Sequence, residues 1–114
     1  MRLAMTVFAV VLVAAAGTAY AAKGTRFWNL THAEIDSLEL APAGSTDFSD
    51  NLCLQDDDKS VEADERLQVT GLKSGTYDAK IHDVTGRACS AKNVQVEEGK
   101  VFSISEKELV DCKQ

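Results

Sequence analysis

The stretch LKSGTYDAKIHDVTGRAC, from Leu72 to Cys89, predicts the hairpin around which the fold is built. Turn signals stand near both of its ends, at Ser74-Gly75 and at Thr85-Gly86. Alternation between them predicts a half-buried antiparallel strand. The inward residues are predicted to be Tyr77, Ala79 and Ile81, and the outward ones Thr76, Asp78, Lys80 and His82. A lone hairpin is marginal in water, so its apolar face requires a second layer.

The rest of the chain predicts further short strands separated by turn signals. They are expected at residues 26–30, 35–40, 52–54, 66–70, 89–96 and 101–105, with 106–110 as either a helical turn or a last short strand. The alternation slips between Ile35 and Leu38 and again at Lys92-Asn93, which predicts irregular strand pairing there. About seven strands at this spacing favour an all-β fold, a small antiparallel β-sandwich of immunoglobulin-like or prealbumin-like type.

The N-terminal segment has the features of a secretory signal peptide, predicted at residues 1–21. A basic start at Arg2 leads into an apolar run, which ends at the small-residue site Ala19-Tyr20-Ala21. The apolar run is shorter than the ~20 residues that a membrane span needs. We therefore expect cleavage after Ala21, a periplasmic or secreted β-sandwich domain at residues 22–114, and no membrane anchor after cleavage.

Composition narrows the range of functions. Cleavage after Ala21 leaves 93 residues (114 less 21), enough for one small domain. Loss of Arg2 changes the net charge from −6 to −7, with 11 Lys and Arg against 18 Asp and Glu. An acidic domain repels phosphate backbones and anionic lipid, so we expect neither nucleic-acid nor membrane-surface binding.

Three cysteines, Cys53, Cys89 and Cys112, lie in the part predicted to be exported. An oxidising compartment permits a disulfide, and an odd number leaves one thiol over. We expect the pair Cys89–Cys112, because it would tie down the C-terminus. Cys53–Cys112 is the alternative, and spacing alone does not decide between them.

Two groups of residues suggest chemistry. The acidic loop 55–65 offers Asp56, Asp58 and Glu62 as candidate calcium ligands, although it lacks the glycine and the ligand spacing of an EF-hand. A run of charges is usually a solvated surface. His82 with Asp83 suggests proton transfer or a metal ligand, but His82 is predicted to face outward and no zinc-ligand spacing accompanies it.

Other catalytic signatures are missing from the sequence. It contains neither a G-x-S-x-G elbow nor a glycine-rich phosphate loop. We therefore expect a protein that is not an enzyme and has no catalytic residues and no cofactor. Asp78 and Asp83 are expected to accept hydrogen bonds at turns. Trp28, the only tryptophan, is expected in the core, and the alternative is an anchor on a binding surface.

The sequence also resembles known families. The pattern GLxxGxYDxxxxDxxG, followed by VxVxxGKxFxI, is similar to the second half of prealbumin-like or Cna-B-like sandwich modules. Its residues here are Gly71-Leu72, Gly75, Tyr77-Asp78, Asp83, Gly86, Val94, Val96, Gly99-Lys100, Phe102 and Ile104. Nearly the whole predicted mature chain resembles small secreted bacterial proteins of unknown function. That likeness rests on Phe27-Asn29-Thr31, Leu38-Leu40-Pro42-Gly44, residues 48–52 and Cys112.

These features together suggest a function in binding. The resemblance implies a sandwich scaffold and brings no activity with it, because such folds serve many functions. We expect an exported, non-catalytic protein-interaction module that binds another protein of the cell envelope through its loops. The alternative is a module that binds calcium or a small ligand with loop 55–65.

Overall fold

The computed structural model describes residues 24–114, so the predicted signal peptide at residues 1–21 and the predicted domain start at residue 22 lie outside the described part. As the alternation predicts, the described chain is all-β, with seven strands in two sheets. The strands are β1 (Thr25–Leu30), β2 (Ile35–Pro42), β3 (Arg66–Val69), β4 (Gly75–Asp83), β5 (Ala88–Val96), β6 (Val101–Ser105) and β7 (Val110–Lys113).

Sheet I has three strands in the order β3-β1-β6, and sheet II has four in the order β2-β4-β5-β7. The predicted central strand, β4, lies between β2 and β5 and pairs with both in antiparallel fashion. One pairing departs from the expected antiparallel sandwich, because β1 and β6 run parallel. No hairpin joins these two strands, so no turn fixes their relative direction.

The core lies between the inner faces of the two sheets. Phe27 of β1 and Phe102 of β6 occupy its sheet I side, with their ring centroids 5.4 Å apart. Sheet II contributes the buried side chains Leu38, Leu40, Ala79, Ile81, Ala91, Val94 and Val96. Burial of this apolar surface is the main stabilising term, at roughly 25 cal/mol per Å² removed from water.

Two predicted segments differ in detail. Residues 52–54 are not a strand, since Leu52–Gln55 forms a 3₁₀ helix. The side chain of Asn51 explains the difference: its Oδ1 accepts from the N–H groups of Leu38 and Cys53, both at 3.0 Å, and so fixes the segment against β2. At the C-terminal end both predicted alternatives occur, a 3₁₀ helix at Glu106–Glu108 followed by β7.

The predicted slips in alternation are irregularities in strand pairing. The register shifts between Ile35 and Ser37 on β2, and between Tyr77 and Ala79 on β4 opposite Asn93. This second irregularity makes the outward prediction for Asp78 wrong, because its side chain is buried. The Asp78 carboxylate accepts from the N–H groups of Asn93 at 3.2 Å and Gly44 at 2.9 Å, so it holds the irregularity together.

The described part of the chain contains no helix with the length and apolar character required to cross a membrane.

Candidate functional site

The outer face of sheet I carries a half-buried aromatic side chain. Strand β1 is the middle strand of this sheet, and it buries Thr25, Phe27 and Asn29 on the core side. Side chains on a strand alternate between its faces, so the remaining ones point outward. The strand register completes this surface, which we call the tryptophan face: Arg26, Trp28, Leu30, Arg66, Gln68, Val101 and Ser103.

Trp28 lies at the centre of the tryptophan face, so the expectation that it belongs to the core is wrong. Its Nε1–H donates to Asp64 Oδ1 at 3.0 Å, and the Arg66 guanidinium lies 4.1 Å from the ring centroid. A cation over an indole face is attracted by the ring quadrupole. The two contacts fix the ring in place, and a preorganised side chain loses less entropy when it binds a partner.

The tryptophan face is locally cationic on an acidic molecule. Arg26 and Arg66 form no ion pair with any carboxylate in residues 24–114. Arg26 Nε is buried and finds no hydrogen-bond acceptor within that range. An unsatisfied buried donor costs about 1–3 kcal/mol. The charges of Arg26 and Arg66 are therefore not neutralised by an ion pair within the described residues.

The candidate calcium ligands are not assembled into a site. Asp58 and Glu62 are exposed, and Asp56 is partly buried at the end of the 3₁₀ helix. Among the residues that the structure describes, no three His, Cys, Asp or Glu side chains come together as a group suited to a metal ion. The geometry of loop 55–65 therefore gives the calcium hypothesis no support.

His82 and Asp83 do not act as a pair. His82 is exposed, as predicted, and its Nδ1 lies 2.6 Å from Asp36 Oδ1 on the neighbouring strand β2. Asp83 is buried and accepts from the N–H groups of Thr85 at 3.0 Å and Arg87 at 3.2 Å, which confirms its predicted role at the turn. Burial opposes the charge on Asp83, but hydrogen bonds from the side chains of Thr85 and Arg87, followed by those from their N–H groups, outweigh it and lower the pKa of the carboxyl.

His82 also lines an open groove on the outer face of sheet II, with a volume of about 320 Å³. Its walls carry both signs of charge, from Lys80 and Lys113 and from Glu39 and Asp111. Sequence analysis missed this groove, because strand alternation predicts which residues face outward but not how far a sheet curves. The mixed charges do not select one class of ligand.

The Cys89–Cys112 disulfide is present and joins β5 to β7, with an S–S distance of 2.06 Å, so the alternative Cys53–Cys112 does not occur. Cys53 is a buried thiol. Burial, followed by the nearby carboxylates of Asp36 and Asp56, raises the pKa of Cys53 to about 12. The thiolate is the reactive form, so Cys53 is inert at neutral pH.

Comparisons of the chain with protein-family models, curated proteins and solved structures found no match. A disulfide is compatible with an extracytoplasmic location.

Proposed function

We propose that this protein is exported and works in the cell envelope as a non-catalytic protein-interaction module, with the tryptophan face as its binding surface. The observation that carries the proposal is the half-buried Trp28 ring on the outer face of sheet I, held by Asp64 and stacked by Arg66. Trp and Arg are enriched among the residues that dominate binding energy at protein interfaces.

Two further features support the proposal. Val101, beside Arg26, is 40% exposed and adds apolar area to the tryptophan face. An apolar centre with Arg and polar groups around it is the usual composition of an interface. The signal-peptide features of residues 1–21 and the disulfide both favour an oxidising compartment outside the cytoplasm.

The test compares Trp28→Ala with the wild-type mature protein, each immobilised and incubated with the envelope fraction of the source cells. Truncation of a central anchor costs at least about 2 kcal/mol, so retention of specific partners should fall roughly thirtyfold. Leu54→Ala is the matched control, because Leu54 is also a large exposed apolar residue but lies on the 3₁₀ helix, outside the tryptophan face.

Thermal melting of both variants checks that each remains folded. Equal recovery of partners by the wild type and by Trp28→Ala would remove the tryptophan face from the proposal. Absence of any specific partner would contradict the interaction role itself.

A further inference from the structure

The four sheet edges of this fold differ in how they are closed. An open edge presents unpaired backbone groups to any other extended chain, and proteins normally block such edges. The outermost strands are β3 and β6 in sheet I and β2 and β7 in sheet II.

The edge of β2 is closed by the segment that follows it. Leu40 N–H donates to Ser49 Oγ at 3.1 Å, and Leu40 C=O accepts from Ser49 N–H at 2.8 Å. Further along, Asn51 accepts from Leu38 N–H and donates to Asp36 C=O at 2.9 Å. These backbone and side-chain bonds replace a neighbouring strand.

The edges of β3 and β7 are blocked in other ways. β3 has only four residues, the 3₁₀ helix Leu52–Gln55 packs against it, and the Gln55 side chain accepts from Thr70 N–H at 2.8 Å. β7 also has four residues and carries charges at Asp111 and Lys113. Asp111 has a positive φ of 52°, which interrupts the extended backbone.

The edge of β6 has none of these devices from Val101 to Ile104. Arg26 N–H donates to Lys100 C=O at 3.1 Å, and in a parallel pair alternate residues turn their backbone groups to the neighbour. Val101 and Ser103 therefore point theirs away from β1, where no strand of the described chain pairs with them. Ser105 has the same orientation, since its N–H bonds outward to Glu108 Oε1 at 3.0 Å.

The sequence of β6 favours the addition of a strand. VFSIS contains no charge, no proline and no glycine, and its β-branched and aromatic residues are typical of strands. Exposed edges usually carry a charged residue or a proline, and here both are missing.

We propose that β6 is a docking edge, to which an extended segment of an envelope protein adds as a fourth strand of sheet I. The inference deepens the proposed function and rests on it, because it assigns the binding mode of the same surface. Backbone hydrogen bonds to Val101 and Ser103 supply affinity, and side chains on alternate positions of the added segment supply specificity.

Charge defines the chemistry of the added segment. Two carboxylates next to β6 have cationic partners, since Glu97 bonds Lys100 at 2.8 Å and Glu106 bonds Arg87 at 2.6 Å, whereas Glu108 bonds only Ser105 at the far end of the strand. Arg26 has no carboxylate partner in the described chain. Its strand β1 lies two strand spacings, about 10 Å, from the added segment, and the long arginine side chain largely covers this distance. The segment therefore presents carboxylates on the outer face, alternating with apolar residues on the core side.

The probe for this edge is a blocked heptapeptide of alternating Glu and Val, added at about 1 mM to the isotope-labelled mature protein. We expect hydrogen exchange at the amides of Val101 and Ser103 to slow at least about tenfold, as for groups that enter a hydrogen-bonded ladder. Amides of β7 should not change. The matched peptide of alternating Lys and Val should give no protection.

Two variants keep the test decisive. Ser103→Pro removes an outward N–H without touching the ladder to β1, and Val101→Pro does the same at the first strand position, where proline is tolerated. Either variant that keeps the wild-type melting temperature should abolish the protection.

Arg26→Gln tests the charge of the added segment. It should leave the fold intact and weaken binding of the Glu–Val peptide about tenfold, the loss expected for one charged hydrogen bond.

Several outcomes would overturn the proposal. One is the absence of protection with the Glu–Val peptide, and another is equal protection with both peptides. A third is protection of Val101 and Ser103 without peptide together with a sedimenting dimer, since a second copy would then occupy the edge.

Two results distinguish this proposal from the proposed function. Chemical-shift changes around Trp28 with unchanged exchange at β6 would exclude strand addition and leave the interaction function standing. Protection by the peptide without any envelope partner would contradict the proposed function alone.

Discussion

At the scale of single residues, Asn29 shows how a polar side chain becomes part of the core. It is fully buried, and its Nδ2 donates to the C=O groups of Ala33 at 2.9 Å and Val61 at 3.0 Å. Its Oδ1 accepts from the N–H and the hydroxyl of Thr31, at 2.9 and 2.7 Å. All four hydrogen-bonding capacities of the amide are used, so its burial carries no unsatisfied group.

Replacement of this amide should be costly. Asn29→Ala removes all four of these hydrogen bonds and leaves the Thr31 N–H without its acceptor, while the Val61 carbonyl keeps the N–H of Ile35. We expect the free energy of unfolding to fall by about 3 kcal/mol. Urea denaturation measures this loss. Asp57→Ala, on an exposed residue, should stay within about 0.5 kcal/mol of the wild type. A loss below about 1 kcal/mol for Asn29→Ala would contradict the importance given to the network.

At the scale of elements, Arg87 and its partner Glu106 link three segments that connect strands: the β4–β5 turn, the 3₁₀ helix after β6 and the segment after β1. Its guanidinium bonds Glu106 Oε2 at 2.6 Å and Asp83 Oδ2 at 3.0 Å. Glu106 Oε1 also accepts from His32 N–H at 3.0 Å. The hydrogen bonds from Arg87, followed by that from His32, lower the pKa of Glu106 to about 2.

This pKa gives a prediction for stability against pH. The folded pKa of about 2 lies below the ordinary value of 4.5, so the Glu106 contribution is fully present above pH 4.5 and is lost as pH falls towards 2. Glu106→Gln should lower the free energy of unfolding by about 1–2 kcal/mol at pH 7 and flatten its decline in this window. Denaturation at several pH values provides the measurement.

Glu62→Gln is the matched control for Glu106→Gln, since Glu62 is an exposed acid. It should keep both the wild-type stability at pH 7 and the wild-type slope in acid. A Glu106→Gln variant with an unchanged slope would contradict the assignment of acid sensitivity to the Arg87 contacts.

At the scale of the whole molecule, the disulfide decides whether β7 belongs to sheet II. All four residues of β7 are exposed, so the strand buries little surface of its own. Its register against β5 is irregular between Ala88 and Ser90. The Cys89–Cys112 bond closes a loop with a sequence separation of 23 and so restricts the unfolded chain.

Removal of the disulfide should therefore destabilise the domain and release its last strand. For the double variant Cys89→Ser and Cys112→Ser, we expect a loss of about 3 kcal/mol and fast hydrogen exchange at residues 110–113. Only Cys53 then remains, so no other disulfide within the chain can form. Protected amides in β7 of the double variant would show that backbone pairing alone holds the strand.

Local signals in the sequence predicted most of the fold. Alternation gave the strands, and slips in alternation located the irregular pairing at Ile35 and near Asn93, because the period of two belongs to each strand by itself. The turn signal at Thr85-Gly86 also predicted the role of Asp83 correctly, because its backbone partners lie only two and four residues further along the chain. The outward position of the tryptophan face was not predicted, since Trp28 and Leu30 share one parity and a hydrophobic pattern alone places both inside.

The sequence by itself determined the all-β class and the positions of most strands, which depend on near neighbours in the chain, whereas the structure decided between the two disulfide pairings. Only the tertiary structure decided that Phe27 and Asn29 face inward and Trp28 outward. The partners responsible are distant in the chain: Phe102 packs against Phe27, and Val61 accepts from Asn29. The parallel pairing of β1 with β6, and with it the open edge, depends on the same long-range contacts, which no local pattern encodes.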